Sequence, residues 1–321
     1  MKHCFILNPA AGQKERTASL GEEIRRVCEE KEAEYELYYT VCVGDATEYV
    51  KRRVAEEPEG DYRFYACGGD GTLCEVVNGV MSAIGGGERS VGLIPSGTGN
   101  DFVRNFTNRE RFFDIGAQLE GETVEVDLIR CNQMYAINMI NIGFDCEVVV
   151  KTSRLKRRKW IPGGMAYLVG LLVTLVRKPG VRCRQSRDGE EAEEKRYLLN
   201  TYANGCFCGG GFHSNPRGNL QDGKIDALYV NNIGRLKFLS LVGKYKKGTH
   251  LVPKYEKILQ SEKLDRVDLG FGGVTNVSVD GEVLSVSELH LSVCPRALRF
   301  LIPVGSAPLR VAEKSGEAVG V

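Results

Sequence analysis

Residues 67–79 read CGGDGTLCEVVNG, and they follow the apolar run Arg63-Phe64-Tyr65-Ala66-Cys67. The chain leaves a strand through Gly68, Gly69, Asp70, Gly71 and Thr72 and turns helical at once. Consecutive glycines let the backbone approach a ligand, because no Cβ stands in the way. The free N–H groups at the start of the following helix favour phosphate. Asp70 would repel phosphate unless a metal ion lay between them. Thr72 offers a hydroxyl donor or a helix cap. Taken alone, one such turn is read as readily as a tight turn with Asp70 capping the helix. The five-residue string GGDGT is less easily set aside, since ordinary residue frequencies produce it in roughly one chain in a thousand.

Outward from this turn the first half of the chain alternates. Strands are predicted at 3–7, 35–41, 63–67 and 90–94, and helices at 17–30, 46–57 and 73–83. Leu20, Ile24, Val27 and Cys28 share one helical face, as do Tyr49, Val50 and Val54. This order predicts an α/β domain with a parallel sheet. Ligands of such sheets sit outside the carboxyl ends of the strands. Two further small, polar, glycine-bearing turns fall on the same rim. Asn8-Pro9-Ala10-Ala11-Gly12 follows the first strand, and Ser96-Gly97-Thr98-Gly99-Asn100-Asp101 follows the fourth. Three such turns at one edge point to one magnesium-nucleotide cleft.

The second half changes character. Strands are predicted at 123–131, 135–142, 196–204, 224–231, 266–269, 276–279 and 289–294, with helical interruptions near 145–177 and 235–246. This reads as a mostly β, sandwich-like domain. Residues 1–127 form the expected first domain, rejoined by a strand at about 297–305. Residues 128–296 form the second, and 306–321 a mobile tail.

Bulk properties narrow the classes. The chain has 321 residues, 42% of them hydrophobic, which suits two packed domains. The net charge of +1 gives no reason to expect a nucleic-acid partner. Eleven scattered cysteines without a CxxC argue for free thiols in a reducing cytoplasm rather than for zinc or disulfides. The apolar run at the start is too short for a signal peptide, and no run reaches the ~20 apolar residues of a membrane span. A homodimer is left open.

NPAAG, GGDGTLCEVVNG and IPSGTGNDFVR, in this order, resemble the signature of the diacylglycerol kinase catalytic-domain family, which includes bacterial soluble lipid kinases and sphingosine kinases. NAD kinases share the GGDGT element more distantly. The resemblance is strong over about residues 3–130. It continues thinly through Asp222-Gly223-Lys224-Ile225-Asp226 and Val279-Asp280-Gly281-Glu282.

The resemblance implies an ATP- and Mg2+-dependent kinase with its active site between the two domains. It places ATP on Asn8, Pro9, Ala10, Ala11, Gly12, Thr40, Gly68, Gly69, Asp70, Gly71, Thr72, Glu75, Gly97, Thr98, Asn100 and Asp101. Asp70 would position the catalytic magnesium, with Asp101 and Asp127 completing an acidic network and Arg104 pairing with phosphate or with these acids. Glu282, with Asp280, would take the acceptor's proton, although by residues alone this segment reads as a hairpin turn. Asp222 through its carboxylate, and Asn219 and Lys224 mainly through backbone oxygens, would hold a second, structural magnesium; a plain Asp-Gly turn is the rival. Where the family often has serine, this chain has Ala11.

The implied acceptor is a lipid hydroxyl, diacylglycerol first, with a sphingoid base, undecaprenol or a nonlipid alcohol as alternatives. NAD kinase and a non-catalytic nucleotide binder are further rivals. Residues 151–160 hold six basic side chains ahead of the apolar run 167–176, a pattern that would suit peripheral contact with an anionic membrane at the inner face of the plasma membrane. The Gly209-Gly210-Gly211-Phe212-His213 loop would border the acceptor site, with a plain surface histidine as its alternative.

Overall fold

The computed structural model describes residues 1–11, 14–143, 146 and 180–309. Its first part alternates as expected: β1 (Lys2–Leu7), α1 (Lys14–Glu30), β2 (Tyr35–Tyr39), α2 (Asp45–Glu56), β3 (Tyr62–Gly68), α3 (Asp70–Ser82) and β4 (Arg89–Pro95). The four strands pair in parallel in the order β2-β1-β3-β4. Alternate side chains of one strand feed two cores. Cys4 and Ile6 pack with Tyr49, Val50, Leu73 and Val77 beneath α2 and α3. Phe5 and Leu7 pack with Leu20, Ile24 and Cys28 beneath α1, and with Ile115 of α4 (Ile115–Leu119). Helices on both faces are what near-continuous apolar strands require.

Strand order reverses between β1 and β3, with β2 on one side and β4 on the other. That crevice is where open parallel sheets bind ligands.

The second part is mostly strands: β5 (Glu122–Cys131), β6 (Met134–Ala136), β7 (Met139–Gly143), β8 (Val181–Arg187), β9 (Glu193–Ala203), β10 (Ile225–Asn231), β11 (Leu259–Leu264), β12 (Arg266–Val279) and β13 (Glu282–Ile302). One helix, α5 (Arg235–Lys247), interrupts them. β7, β9, β8 and β12 pair in a closed cycle of antiparallel neighbours. Ile140, Ile142, Tyr202, Val267, Leu269 and Val277 fill the core beneath. The architecture is thus an α/β domain with a parallel sheet joined to a β sandwich-like domain.

The strand expected at 135–142 is split, because Ile137, Asn138 and Met139 turn their N–H groups onto the Asp280 carboxylate. The separate strands expected at 289–294 and 297–302 are one strand. A bulge at Cys294–Leu298 absorbs Pro295 and Arg296, and Arg296 takes a left-handed φ of 48° while its N–H donates to Asp127 Oδ1 at 2.7 Å. β13 pairs with β12 at one end and in parallel with β4 at Phe300 and Val91 at the other. β5 lies along the same strand and runs through the expected division at Asp127.

Residues 306–309 are not loose. Thr107 N–H donates to Ala307 O at 2.8 Å, and Leu309 N–H to Asn105 O at 2.8 Å. The rest of the expected tail, Gly12 and the basic and apolar runs at 151–176 lie outside the described residues. All eleven cysteines are free and eight are buried, as the spacing suggested. No described helix is long and apolar enough to cross a membrane.

Candidate active site

The rim of the parallel sheet brings three turns together. Asn8 follows β1, and its N–H donates across the crevice to Cys67 O at 3.0 Å. Its side chain reaches further: Nδ2 donates to Thr72 Oγ1 at 2.9 Å, and Oδ1 accepts from Ala10 N–H at 2.9 Å. Pro9, Ala10 and Ala11 are thereby held over the mouth of the crevice. Thr40, at the end of β2, joins the same edge through its N–H to Leu7 O at 2.9 Å.

The glycines have a second reason beyond ligand approach. Ser96 and Gly97 both donate N–H to Gly68 O, at 2.8 and 3.2 Å, which ties the turn after β4 to the turn after β3. A methyl added to Gly97 would lie 2.5 Å from Gly69 Cα, and one added to Gly68 would lie 2.2 Å from Thr72 Oγ1. The two turns pack backbone on backbone. The N-cap of α3, Gly69, brings no side chain to the helix start, so the first-turn N–H groups look for an acceptor from outside.

Asp70 opens that helix. Its Oδ1 accepts from the N–H groups of Asp101 and Phe102 at 2.9 and 3.1 Å, and its Oδ2 from Asp101 N–H at 3.1 Å. Four lone-pair positions thus meet three donor contacts, which leaves Oδ2 capacity for a cation. Beside it, Asn100 is held at φ 48° by Nδ2 donating to Gly97 O, and its Oδ1 is buried without a partner. Asp101 is buried and accepts from Gly210 and Gly211 N–H at 2.9 and 2.7 Å; Arg104 Nε lies 3.4 Å away. Burial first, and the negative charge of Asp70 second, push the Asp101 carboxyl upward. Two carboxylates that resist each other's charge, and an orphaned amide oxygen, are hard oxygen donors suited to magnesium, which binds through one or two carboxylates plus phosphate oxygens and water. Among the described residues no cluster of three or more His, Cys, Asp or Glu could hold a metal without such help. Thr98 is exposed on the same turn.

Glu282 comes from the other half. As the first residue of β13 it lies against the start of α3, with Oε1 3.0 Å from where a methyl on Gly71 would sit. Half-burial, then the charge of Glu75, raise its pKa.

Three expected site residues stand elsewhere than the sequence placed them. Asp280 is buried and pinned: Oδ2 accepts from Ile137 N–H at 2.7 Å, and Oδ1 from Asn138 and Met139 N–H at 3.1 and 2.7 Å. Burial outweighs these donors and raises it to about 6. It anchors the hairpin that presents Glu282, with both carboxylate oxygens accepting from backbone N–H groups. Asp127 does not join Asp70 and Asp101; it accepts from Gly223 and Arg296 N–H at 2.6 and 2.7 Å. Glu75 accepts from Gly44 and Ala46 N–H at 2.9 and 3.2 Å, so it caps α2. Arg104 takes the acid among its two expected partners, with Nε 3.4 Å from Asp101 Oδ1, and its Nη2 also donates to the Gly99 carbonyl at 3.4 Å.

In the expected second metal set the Asp222 carboxylate already has a cation beside it. Lys263 Nζ bonds Asp222 Oδ2 and lies 3.2 Å from Asp226 Oδ1. The side chains of Asn219 and Lys224 are engaged as well, Asn219 Oδ1 by Gln221 N–H at 3.0 Å and the Lys224 ammonium by Asp265 at 2.7 Å, which does not bear on the backbone oxygens expected of them. An internal ammonium stands on the carboxylate that a metal would need.

Sequence reasoning missed the hold of Gly210 and Gly211 on Asp101, although three successive glycines were the available signal. Lys263 offered none, being 41 residues from Asp222.

The rim thus gathers a helix start capped by no side chain, hard oxygen donors and a carboxylate from the second domain. Residues 2–131 match the diacylglycerol kinase catalytic domain family, and residues 138–302 match the YegS C-terminal NAD kinase beta sandwich-like domain. The chain belongs to this two-part family of lipid and diacylglycerol kinases. A Pseudomonas aeruginosa protein named "Probable lipid kinase YegS-like" is 32% identical over 251 residues, 76% of this chain and 78% of that one. A Staphylococcus carnosus diacylglycerol kinase is 30% identical over 287 residues, 87% of each. A crystal structure of a diacylglycerol kinase from Bacillus anthracis shares the fold, with a TM-score of 0.67 at 19% identity over 94% of this chain and 97% of that one.

Proposed function

We propose that the protein transfers the γ-phosphoryl group of Mg-ATP to a lipid hydroxyl, with diacylglycerol the acceptor and phosphatidic acid the product. The observation that carries the reading is the meeting of Glu282 from β13 with the start of α3, beside Asp70 and Asp101. Phosphoryl transfer demands positioning and charge stabilisation more than covalent chemistry. The N–H groups at the start of α3 and the glycine turns receive phosphate oxygens. Asp70 Oδ2 and Asn100 Oδ1 would hold the magnesium, which neutralises charge on the phosphates when bound. Asp101, steadied by Gly210, Gly211 and Arg104, keeps the Asp70 carboxylate oriented.

Glu282 accepts the acceptor hydroxyl's proton as the oxygen attacks. Its raised pKa makes it a stronger base than an exposed glutamate. The names of the relatives, lipid kinase and diacylglycerol kinase, support a lipid acceptor over NAD.

The test is label transfer from γ-labelled ATP to diacylglycerol, a sphingoid base, undecaprenol and NAD. Phosphatidic acid is expected from the wild type, and a loss of at least about a hundredfold in kcat from Glu282→Gln. Label in NADP alone, or full activity in Glu282→Gln, would overturn the assignment.

A further inference from the structure

The chain is nearly neutral, yet its charge is unevenly placed. Residues 235–257 contain seven basic residues and one acidic residue, a net +6, against +1 for the whole chain. The core of this region is α5, which has no acidic residue. Phe238 and Leu241 bury one face of α5 against Leu198, Val230 and Ile258. The opposite face exposes Lys237, Lys244, Lys246 and Lys247. One large apolar side chain shares this surface: Leu239 is 46% exposed.

Lysines in a last turn favour the helix dipole, and that accounts for Lys244, Lys246 and Lys247 taken singly. It does not account for Lys237 in the first turn, where a cation is unfavourable. Nor does it account for Leu239 left in solvent between the lysines.

The carboxyl end of α5 abuts the site. Lys246 O accepts from His213 N–H at 3.2 Å, and Lys246 Nζ lies 5.6 Å above the Phe212 ring. Two residues earlier, Gly210 and Gly211 donate to Asp101. The basic face is therefore one short loop from the acidic centre.

We propose that this face of α5, with Leu239, docks the protein on an anionic bilayer, so that the 209–213 loop meets the membrane at the point where an acceptor would enter. Lysines would sit at the headgroups and Leu239 would enter the acyl boundary. The use of the dock rests on the lipid-kinase reading; the binding itself does not.

The experiment is sedimentation of the full chain with vesicles of pure phosphatidylcholine, or of phosphatidylcholine with one third phosphatidylglycerol, at low and high salt. The triple variant Lys237→Gln/Lys244→Gln/Lys247→Gln spares Lys246, which touches the loop, and Leu239→Ser tests the apolar part separately. Each basic residue near an anionic leaflet adds roughly fivefold to partitioning, so the triple variant should bind roughly a hundredfold less. Its unfolding midpoint in urea and its transfer to a short-chain, water-soluble diacylglycerol should stay at wild-type values. Equal binding of the wild type to neutral vesicles, wild-type binding by the triple variant, or tighter binding to RNA than to anionic vesicles would each overturn the dock. Salt-sensitive vesicle binding without any lipid phosphorylation would sustain it and remove the lipid-kinase reading instead.

Discussion

Replacing Asp280 by Ala and by Asn separates an anchor from a base. The wild-type carboxylate takes three backbone N–H donors in a site closed to water. Removing their acceptor leaves three buried donors unpaired, at about 2 kcal/mol each. Against this, the shift of Asp280 to about 6 shows that keeping the charge buried costs roughly 3 kcal/mol, which Ala recovers. Asp280 also sits at φ 48°, a conformation in which Ala costs about 1 kcal/mol. The net expectation for Asp280→Ala is a loss of about 4 kcal/mol, read from urea unfolding. Asp280→Asn keeps the left-handed backbone and the two bonds to Oδ1, so it should lose no more than about 1 kcal/mol.

The pH dependence has a definite sign. A carboxyl raised to about 6 keeps its proton in the folded state while the unfolded chain has released it. This group's contribution therefore makes the fold more stable near pH 4 than near pH 7, changing between those values. The difference between wild type and Asp280→Asn should show that slope. If Asp280→Asn folds as the wild type does and yet loses phosphoryl transfer a thousandfold, Asp280 is the base and the anchoring argument fails.

Three other substitutions probe the neighbouring contacts. Gly97→Ala would drive a methyl to 2.5 Å from Gly69 Cα; an overpacking loss of about 1–3 kcal/mol and weakened ATP binding by calorimetry are expected, and unchanged ATP affinity would show that the two turns need not touch. Glu75→Ala should cost about 1 kcal/mol as a lost cap of α2 while phosphoryl transfer survives; loss of activity at full stability would return Glu75 to the nucleotide. Lys263→Met leaves the buried Asp226 unpaired, at about 3 kcal/mol, so its melting temperature should fall and then respond to millimolar magnesium, whereas that of the wild type should not.

The first half was legible because its signals are local. An apolar five-residue strand, a glycine turn and a helix with one apolar face each announce themselves within a dozen residues, and β1 through β4 fall where periodicity places them. The second half hides its logic in distant pairings. β8 buries Gln185 next to Val181 and Cys183 on its inward face and carries three arginines, so it reads as a solvated loop. β13 conceals its continuity behind Pro295 and Arg296, whose bulge is held by Asp127 from 169 residues away. The candidate site divides in the same way. Asn8, Asp70, Thr72, Asn100 and Asp101 were readable as one rim because each follows a strand of one sheet. The exchange of roles among Asp280, Asp127, Glu75 and Lys263 was not, because a carboxylate's partners are chosen by tertiary contacts that no spacing records.

The placement of Glu282 follows from the strand that carries it. β13 leaves the turn at Asp280 and Gly281, runs along β12 and β5, and ends beside β4. The strand that begins with the proposed base thus finishes in the parallel sheet whose rim holds Asp70 and Asp101. Its far end is fixed by the Phe300 ring, packed against Phe102 and Phe106 just beyond Asp101. Its near end is fixed by the three amides on Asp280. A hinge between the two halves would have to break both attachments or bend β13 at its bulge. The bulge at Cys294–Leu298, where Asp127 grips Arg296 and Gly223 together, is therefore the place where the distance between Glu282 and the rim of Asp70 and Asp101 is set.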